Sequence, residues 1–286
     1  MQYGIYLPNF DPWGSARIIA DLAREAEAAG WDGLFMWDDF AGFDVDLVDP
    51  WVALAAAAMT TTRIRLGALI TPLARRRPWK FARETVTLDH LSAGRLVVGV
   101  GTGGGDDEWA YFGEEPNHKV RGDMLDEALE VVTGLWTGEP YSHTGRYYHI
   151  HGTRFLPAPH QQPRIPIWVG GIWPHKRPLR RMARWDGMFP LFFDAKSADE
   201  AFNQFAESVQ IVRSLRNPAD PFDVIALGAT PLAQPEESAR VVRAYAGAGA
   251  TWWLESIAPM RMGSPADPLW SYADLRARVL QCPPRI

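Results

Sequence analysis

Two adjacent aspartates, Asp38 and Asp39, stand directly after a short apolar stretch of the sequence. Neighbouring carboxylates at the end of a buried strand can act as a general base, accept hydrogen bonds or bind a metal ion. The more ordinary use of such residues is to cap the turn before a helix, and we expect this of one acid of the pair. The sequence therefore predicts that the other acid is available for chemistry.

A glycine-rich stretch, GVGTGGG, begins at Gly99 and leads into Asp107 and Glu108, which are interpreted as caps of the next helix. Gly99, Gly101 and Gly104 fit the dinucleotide-binding fingerprint G-x-G-x-x-G. That fingerprint belongs to the first strand-to-helix turn of a doubly wound sheet, whereas this stretch follows the fourth predicted strand. We therefore reject a dinucleotide site and infer only that the backbone N–H groups here are open to a ligand.

A second glycine pair, Gly170 and Gly171, is followed by Trp173, Lys176 and Arg177. Glycines free backbone donors, the next helix offers its N-terminus, and cations lie in its first turn, which together favour a phosphate group. A solvated helix face is the ordinary alternative for such a run of charges. Because the loop follows a predicted strand, we interpret the segment as an anion cradle.

All of these residues follow short apolar runs, and a helix-like stretch comes after most of the runs. Eight β-then-α units are the number that closes a (β/α)8 TIM barrel, and active sites of such barrels lie on the loops after the strands. The sequence therefore predicts an α/β fold of this class. The predicted strands are residues 2–7, 33–37, 65–70, 95–100, 166–170, 187–192, 223–228 and 251–255.

Residues 138–166 interrupt this rhythm with alternating aromatic residues followed by prolines. The pattern predicts a hairpin and an extended strap, inserted after the fourth βα unit of a single barrel domain that spans residues 1–286. Long insertions after barrel strands often form lids. A surface strap with no chemical role is the equal alternative.

The composition suits a large soluble domain, with 47% hydrophobic and 22% charged residues in a chain of 286. A net charge of −5 gives no indication of binding to nucleic acid or to an anionic membrane. Cys282, the single cysteine, cannot form an internal disulfide, and neither a signal peptide nor an apolar segment of ~20 residues is evident. These features predict a cytoplasmic protein. The 13 tryptophans indicate either a large core or a cleft for a flat ligand.

The chain resembles the bacterial luciferase-like oxidoreductases, a family of flavin- and deazaflavin-dependent (β/α)8 barrels. The resemblance covers about residues 4–190 and is weaker beyond. It rests on four stretches, which are AGWDGLFMWDD, RIRLGALITPLARRRPWKFARETVTLDHLSAGRLVVGVGTGG, LDEALEVVTGLWTGEPYSHTGRYYHI and PRIPIWVGG. The resemblance implies a luciferase-like oxidoreductase that acts on a small organic substrate by monooxygenation or hydride transfer.

The resemblance also implies where the cofactor lies. In the family, a bulge at the end of the third strand, often with a non-proline cis peptide, supports the ring from behind, and Ala68 and Leu69 hold that position here. Trp37, Asp38 and Asp39 would face the reacting side of the ring as the catalytic residues. The other predicted cofactor-binding residues are Thr71, Gly101, Thr102 and Gly103 along the ring and ribityl chain, and Gly170, Gly171, Ile172, Trp173, Lys176 and Arg177 at the phosphate.

Two departures from the family pattern bear on the substrate. The sugar-phosphate dehydrogenases of the family carry a histidine where Asp39 stands and a glutamate where Gly104 stands. We therefore do not expect a sugar phosphate as the substrate. Asp39 can still act as a base if burial raises its pKa. The substrate is expected to stack on the ring beneath the strap, around residues 141–151.

The family resemblance covers two cofactors, FMN and coenzyme F420, and does not choose between them. FMN enzymes use oxygen with reduced flavin from a partner reductase, and F420 enzymes transfer hydride. In both, the cofactor performs the redox chemistry and the protein positions it. The implied partners are a small-molecule substrate, a separate flavin or F420 reductase and a second copy of the chain in a homodimer, with no nucleic acid and no membrane.

Two alternatives to a flavin or F420 oxidoreductase stay open. A metal-dependent barrel hydrolase would use Asp38 and Asp39 with His149 and His151, which face the same way on a strand. It is less favoured because those histidines lie in the insertion and not at a barrel strand end. A non-catalytic flavin-binding barrel would hold the ring without turning over a substrate.

Overall fold

A computed structural model describes residues 1–10, 13–41, 45–104, 106–231, 234–258 and 272–286. Within these ranges a parallel sheet is surrounded by helices, and a separate two-stranded sheet lies beside it. The helices found in the described ranges are too short or too polar to cross a membrane.

The parallel sheet is a barrel whose strands all run the same way. Its strands are β1 (Gln2–Leu7), β2 (Gly33–Met36), β3 (Arg65–Ala68), β4 (Thr71–Pro72), β5 (Val98–Gly101), β8 (Ile167–Ile172), β9 (Gly187–Leu191), β10 (Asp223–Gly228) and β11 (Trp252–Ser256), with β6 (Pro140–Thr144) and β7 (His149–Arg154) in the smaller sheet. Their order is β3-β2-β1-β11-β10-β9-β8-β5-β4. Each strand apart from the split third one therefore pairs with its neighbours in the chain order of a (β/α)8 barrel, as predicted.

The third barrel position holds two short strands, β3 and β4, with Leu69 and Ile70 between them. β3 pairs with β2, and β4 pairs with β5. The first and last strands in the sheet order are therefore β3 and β4, which follow each other in the chain. A backbone bridge between Leu66 and Leu96 joins the third and fourth positions near the start of the strands. The barrel is therefore nearly closed, and the predicted continuous strand at residues 65–70 is interrupted where it reaches the barrel mouth.

Helices follow the strands on the outside of the barrel. They are α1 (Ala16–Ala28), α2 (Pro50–Thr60), α3 (Pro78–Leu91), α4 (Asp106–Tyr111), α5 (His118–Trp136), α6 (Lys176–Met182), α7 (Ala198–Ser214), α8 (Pro235–Gly247) and α9 (Tyr272–Leu280). In α1 the buried residues Ile19, Leu22 and Ala26 recur at helical spacing and form one apolar stripe against the sheet. At the start of α2, the Asp49 carboxylate accepts a hydrogen bond from the Val52 N–H at 2.9 Å, as an N-cap does.

Alternate strand residues point into the barrel and out toward the helices. In β11, Trp252 and Leu254 lie in the interior cluster with Trp168, whereas Trp253 packs in the outer core under the helices. Trp31 and Trp109 are also fully buried. Much of the excess of tryptophan therefore belongs to the core and not to a cleft.

The inserted segment forms the antiparallel hairpin of β6 and β7, which confirms the predicted hairpin after the fourth βα unit. The hairpin packs on α5, where the Glu127 carboxylate accepts hydrogen bonds from the N–H groups of Tyr147 and Tyr148 at 3.0 and 2.7 Å. It also reaches α3, since the Tyr148 ring lies 6.4 Å from the Trp79 ring. The hairpin therefore lies along the outer helices.

Candidate functional site

A cavity of about 490 Å³ opens at the carboxyl ends of the barrel strands, and we call it the mouth cavity. Its walls combine aromatic rings, aliphatic side chains, glycine backbone and four carboxylates. They are formed by Tyr6, Trp37, Asp38, Asp39, Ala41, Leu69, Ile70, Pro72, Gly103, Gly104, Asp107, Glu108, Tyr111, Leu191, Phe193 and Leu227. The predicted strap contributes none of these residues, so the structure offers no contact that supports its role as a lid.

The break in the third strand forms one wall of the mouth cavity. The buried Tyr6 hydroxyl donates a hydrogen bond of 2.6 Å to the Leu69 carbonyl and fixes the backbone at the break. A non-proline cis peptide joins Leu69 to Ile70. The feature expected at Ala68 and Leu69 therefore exists, but it lies one residue later in the chain.

The Ile70 side chain fills the space between two glycines that were expected to touch a cofactor. A Cβ atom on Gly101 would lie 2.1 Å from Cδ1 of Ile70, and one on Gly170 would lie 2.4 Å from its Cγ2. Neither glycine lines the mouth cavity. Their lack of a side chain makes room for Ile70, whose backbone neighbour Leu69 then lines the cavity.

The two adjacent aspartates have different surroundings. Asp38 is buried, and its carboxylate accepts hydrogen bonds from Arg76 at 2.8 and 2.9 Å and from the Trp51 indole at 3.2 Å. Burial raises the pKa of Asp38, and the adjacent Arg76 guanidinium opposes that rise. These contacts commit the Asp38 carboxylate to a buried ion pair in the wall of the cavity.

Asp39 is held by its backbone and leaves its carboxylate at the cavity. The fully buried Asn9 donates hydrogen bonds to the carbonyls of Asp39 at 2.8 Å and Val48 at 2.9 Å, and it accepts one from the Asp39 N–H. Burial, with the nearby carboxylates of Glu108 and Asp38, raises the pKa of Asp39 to about 6. A carboxyl group that titrates near neutrality can accept or donate a proton in a reaction.

Glu108 was interpreted from the sequence as a helix cap, and the structure places it in the cavity wall instead. Its carboxylate accepts hydrogen bonds from the N–H groups of Phe40 and Ala41 and from Arg75 at 2.8 Å. Arg75 also lies 3.0 Å from the Glu114 carboxylate. Glu108 therefore fixes the loop that follows Asp39, a role that its neighbours in sequence do not reveal.

Trp37 lines the cavity beside Asp39. Its ring centroid lies 5.9 Å from that of Tyr6 and 5.7 Å from that of Phe10, so aromatic neighbours fix its orientation. The buried indole N–H of Trp37 has no hydrogen-bond partner among the described residues. It is a donor that a bound molecule could use.

In the predicted anion cradle, Gly171 and Arg177 already contact other residues of the protein. A Cβ atom on Gly171 would lie 2.4 Å from Pro178 of α6. Arg177 pairs with Asp123 and Asp126 of α5, and the hydrogen bond that Arg177 donates to the Asp123 carboxylate raises the pKa of Arg177. Lys176 is exposed at the start of α6.

Of the residues predicted from the sequence, Trp37, Asp38, Asp39, Leu69 and Gly103 line the mouth cavity. Gly103 has a φ of +75° and packs against Trp109, so glycine suits it for conformational reasons. The predicted residues outside the lining are Ala68, Thr71, Gly101, Thr102, Gly170, Gly171, Ile172, Trp173, Lys176 and Arg177. The roles assigned to both groups stay predictions.

The histidines of the metal hydrolase alternative, His149 and His151, are exposed on β7 of the outer hairpin. They do not line the cavity that contains Asp38 and Asp39. In the part of the chain that the structure describes, no three histidine, cysteine or acidic residues are grouped as a metal site requires. The geometry therefore gives this alternative no support.

Comparison with known proteins gives a consistent assignment. The model of a family described as luciferase-like monooxygenase matches residues 1–272. An uncharacterized protein of Mycobacterium tuberculosis is 41% identical over 123 residues, which are 43% of this chain and 43% of that protein. The F420-dependent glucose-6-phosphate dehydrogenase of Gordonia bronchialis is 32% identical over 169 residues, 56% of this chain and 48% of that protein. The matched part thus spans about half of each relative or less.

A similar fold occurs in the solved structure of the monooxygenase RslO1 from Streptomyces bottropensis. It superimposes with a TM-score of 0.74 over 98% of this chain and 96% of that one, at 20% sequence identity. At that identity the likeness establishes the barrel fold, while the chemistry of this chain has to be argued from its own residues.

Proposed function

Because the chain belongs to the luciferase-like monooxygenase family, we propose that it is an oxidoreductase that uses reduced FMN or the deazaflavin F420 on a small organic substrate. The observation that carries this proposal is the mouth cavity, whose lining includes Asp39, Trp37, Leu69 and Ile70. It lies at the carboxyl ends of the strands, where enzymes with this fold perform their chemistry.

The residues of the mouth cavity suit a planar ring system. Its volume of about 490 Å³ lies within the usual range for small-molecule sites. Leu69 and Ile70 offer an apolar surface beside the ring, and the unbonded indole N–H of Trp37 offers a donor for a polar atom. When bound, either cofactor would supply hydride transfer, or reaction with oxygen in the case of reduced FMN.

Asp39 is the residue to which we assign proton transfer. Its carboxyl group, with a pKa of about 6, can take a proton from a substrate hydroxyl or return one to a carbonyl oxygen. Asn9 holds its backbone, and Glu108 holds the two residues that follow it. These contacts keep the carboxylate at the cavity wall, so its position does not depend on the substrate.

The remaining assignments concern the cofactor tail and the partners. Arg177 is held by acidic residues of α5, so Lys176 is the cation that we propose for the phosphate. A flavin or F420 reductase as supplier of reduced cofactor, and assembly as a homodimer, are proposals that rest on the family.

Titration of the full chain with FMN and with F420, each oxidised and reduced, tests the proposal. We expect saturable binding of at least one cofactor, followed by the ring absorbance. Trp37→Ala should weaken that binding, whereas Trp79→Ala, at an exposed tryptophan on α3 outside the cavity, should not. Failure of both cofactors to bind, or equal effects of the two substitutions, would contradict the proposal.

A further inference from the structure

We propose that the mouth cavity selects a neutral, largely apolar organic substrate and discriminates against substrates that carry a phosphate or another negative charge. The identification of this ligand as a substrate rests on the proposed function. The phosphate of the cofactor is assigned to Lys176, which does not line this cavity. The selectivity itself rests on the shape and charge of the cavity, which can be measured without knowing the reaction.

The entrance of the mouth cavity is aromatic. Tyr111 and Phe193 both line the cavity, yet their side chains are 64% and 61% exposed to solvent. Large apolar side chains that are exposed at the rim of a pocket favour ligands that cover them. With Leu191 and Leu227 further in, the apolar surface continues from the rim into the barrel.

The charge of the cavity is negative. Four carboxylates line it, whereas no lysine, arginine or histidine does so among the described residues. Arg75 and Arg76 are the arginines paired with these carboxylates. Arg75 lies 2.8 Å from Glu108 and 3.0 Å from Glu114, and Arg76 lies 2.8 Å from Asp38.

Among the described residues that line the cavity, Asp39 and the exposed Asp107 are therefore carboxylates with no cation opposite them. Arg75 acts on Asp39 from outside the lining, but it is already paired with Glu108 and Glu114. A phosphate or carboxylate in the cavity would meet like charge and would lose its hydration without a compensating partner. A neutral alcohol pays neither penalty and can still donate a hydrogen bond to the Asp39 carboxylate. A neutral carbonyl compound pays neither penalty and can accept a hydrogen bond from Asp39 when that carboxyl group is protonated.

A matched pair of fluorescent probes measures this selectivity. N-phenyl-1-naphthylamine is neutral, and 8-anilinonaphthalene-1-sulfonate has the same ring skeleton with one negative charge. The full chain would be titrated with the neutral probe, which would then be displaced by the sulfonate, with and without the cofactor that binds. We expect the neutral probe to bind at least roughly tenfold more tightly, because only the sulfonate faces like charge. Equal or tighter binding of the sulfonate would overturn the proposal.

Substitutions locate the bound probe. Tyr111→Ala and Phe193→Ala should each weaken the neutral probe by roughly fivefold or more, since each removes an aromatic contact at the entrance. Phe112→Ala is the matched control, because Phe112 is exposed beside Tyr111 but does not line the cavity. If all three substitutions have the same effect, the probe binds elsewhere and the proposal fails.

Substitution of Asp39 tests whether charge causes the selectivity. Asp39→Asn keeps the side-chain shape and removes one negative charge, so it should tighten sulfonate binding relative to binding of the neutral probe by roughly threefold or more. An unchanged ratio between the two probes would contradict the role of charge. Because probe binding needs no cofactor, a protein that selects the neutral probe but binds neither FMN nor F420 would refute the proposed function and leave the selectivity standing.

Discussion

Asp38 and Asp39 are neighbours in sequence, and the structure separates their roles by what surrounds each carboxylate. Asp38 is bound to Arg76 and Trp51 in the wall of the cavity. Asp39 faces the cavity near Glu108, and the arginine that acts on it, Arg75, is already paired. One acid is thus a structural ion-pair partner, and the other is free to titrate.

The raised pKa of Asp39 predicts a specific dependence of stability on pH. An acid whose pKa rises on folding, here from 3.8 to about 6, makes the folded state less stable as pH increases through that range. Asp39→Asn removes this loss, so the variant should be more stable than the parent at pH 7.5 by up to about 3 kcal/mol. Urea unfolding of both proteins at several pH values measures the difference.

The pH dependence of the stability difference shows whether Asp39 is its cause. The advantage of Asp39→Asn should shrink as pH falls from 7.5 toward 4.5, because the parent carboxyl group becomes protonated and neutral. A difference for Asp39→Asn that stays constant with pH, or a less stable variant at pH 7.5, would show that burial does not perturb this carboxyl group.

The sequence could indicate the aspartates but not the residues that position them. Asp38 and Asp39 follow an apolar run, so their location at a strand end is a local property of the chain. Asn9 and Glu108 act on the same loop from about 30 and 70 positions away, and only the closed barrel brings them to it. Such contacts cannot be inferred from spacing along one sequence.

At the scale of the elements, the break between β3 and β4 organises the cavity wall. Ile70 at this break packs over Gly101 of β5 and Gly170 of β8, so the three barrel positions are fitted to one another. From the sequence these glycines were interpreted as approach points for a ligand. That interpretation did not anticipate that the Ile70 side chain occupies the space beside these glycines. Which side chain lies over a glycine of a neighbouring strand depends on the register between the strands, which one sequence does not show.

This fit predicts strong coupling between Gly101 and Ile70. Gly101→Ala should destabilise the fold by about 1–3 kcal/mol, because its Cβ would overlap the Ile70 side chain. In the Ile70→Ala background that overlap is gone, so the double variant should be more stable than the sum of the single effects by about 1 kcal/mol or more. Chemical unfolding of the four proteins completes the cycle.

Gly104→Ala is the control for the Gly101 substitution, because a Cβ atom on Gly104 would meet nothing within 4 Å. We expect it to leave stability nearly unchanged in both backgrounds. Additive effects of Gly101→Ala and Ile70→Ala would contradict the packing described for the strand break.

The inserted hairpin shows where an element can be predicted and its function cannot. Alternating aromatic residues and turn residues indicated β6 and β7 correctly. The direction in which a hairpin folds back is decided by tertiary contacts, here the Glu127 carboxylate on α5 and the Trp79 ring on α3. A lid over the mouth cavity was therefore a reasonable expectation that these contacts do not support.

At the scale of the whole molecule, α9 is tied to the loop that precedes β2 and to strand β11. The Trp31 indole donates a hydrogen bond of 2.8 Å to the Val279 carbonyl at α9. Arg278 lies 3.1 Å from Glu255 on β11, and both side chains are buried. Glu255 also accepts a hydrogen bond of 2.7 Å from the Thr230 N–H, so one carboxylate links the last barrel strand, the loop after β10 and α9.

Loss of this buried pair should weaken the entire barrel. Arg278→Ala leaves the Glu255 carboxylate without its cation in a fully buried position, and we expect a loss of about 3–5 kcal/mol in the free energy of unfolding. Arg276→Ala, which removes a more exposed pair with Glu25 on the same helix, should have a much smaller effect. If Arg278→Ala and Arg276→Ala lose the same stability in thermal or urea unfolding, the buried Arg278–Glu255 pair does not hold the barrel together as described.

The barrel as a whole was the most predictable feature of the chain. Each barrel strand is visible in the local sequence as an apolar run followed by polar or glycine residues. The structure has a strand at each of the eight predicted positions. The cavity was less predictable, because its shape depends on which side chains from distant strands meet at the mouth. Five of the predicted site residues line it, whereas Tyr111, Phe193 and Glu108 were assigned to the cavity only by the structure.

The central claim is that the mouth cavity holds the ring of a flavin or deazaflavin. A crystal structure of the full chain with whichever of FMN and F420 binds would test it directly. We predict ring density inside the mouth cavity beside Leu69 and Ile70, with Trp37 and Asp39 also lining the cavity that holds the ring. Ring density outside this cavity, or a cavity filled by side chains when the cofactor is bound, would contradict the account.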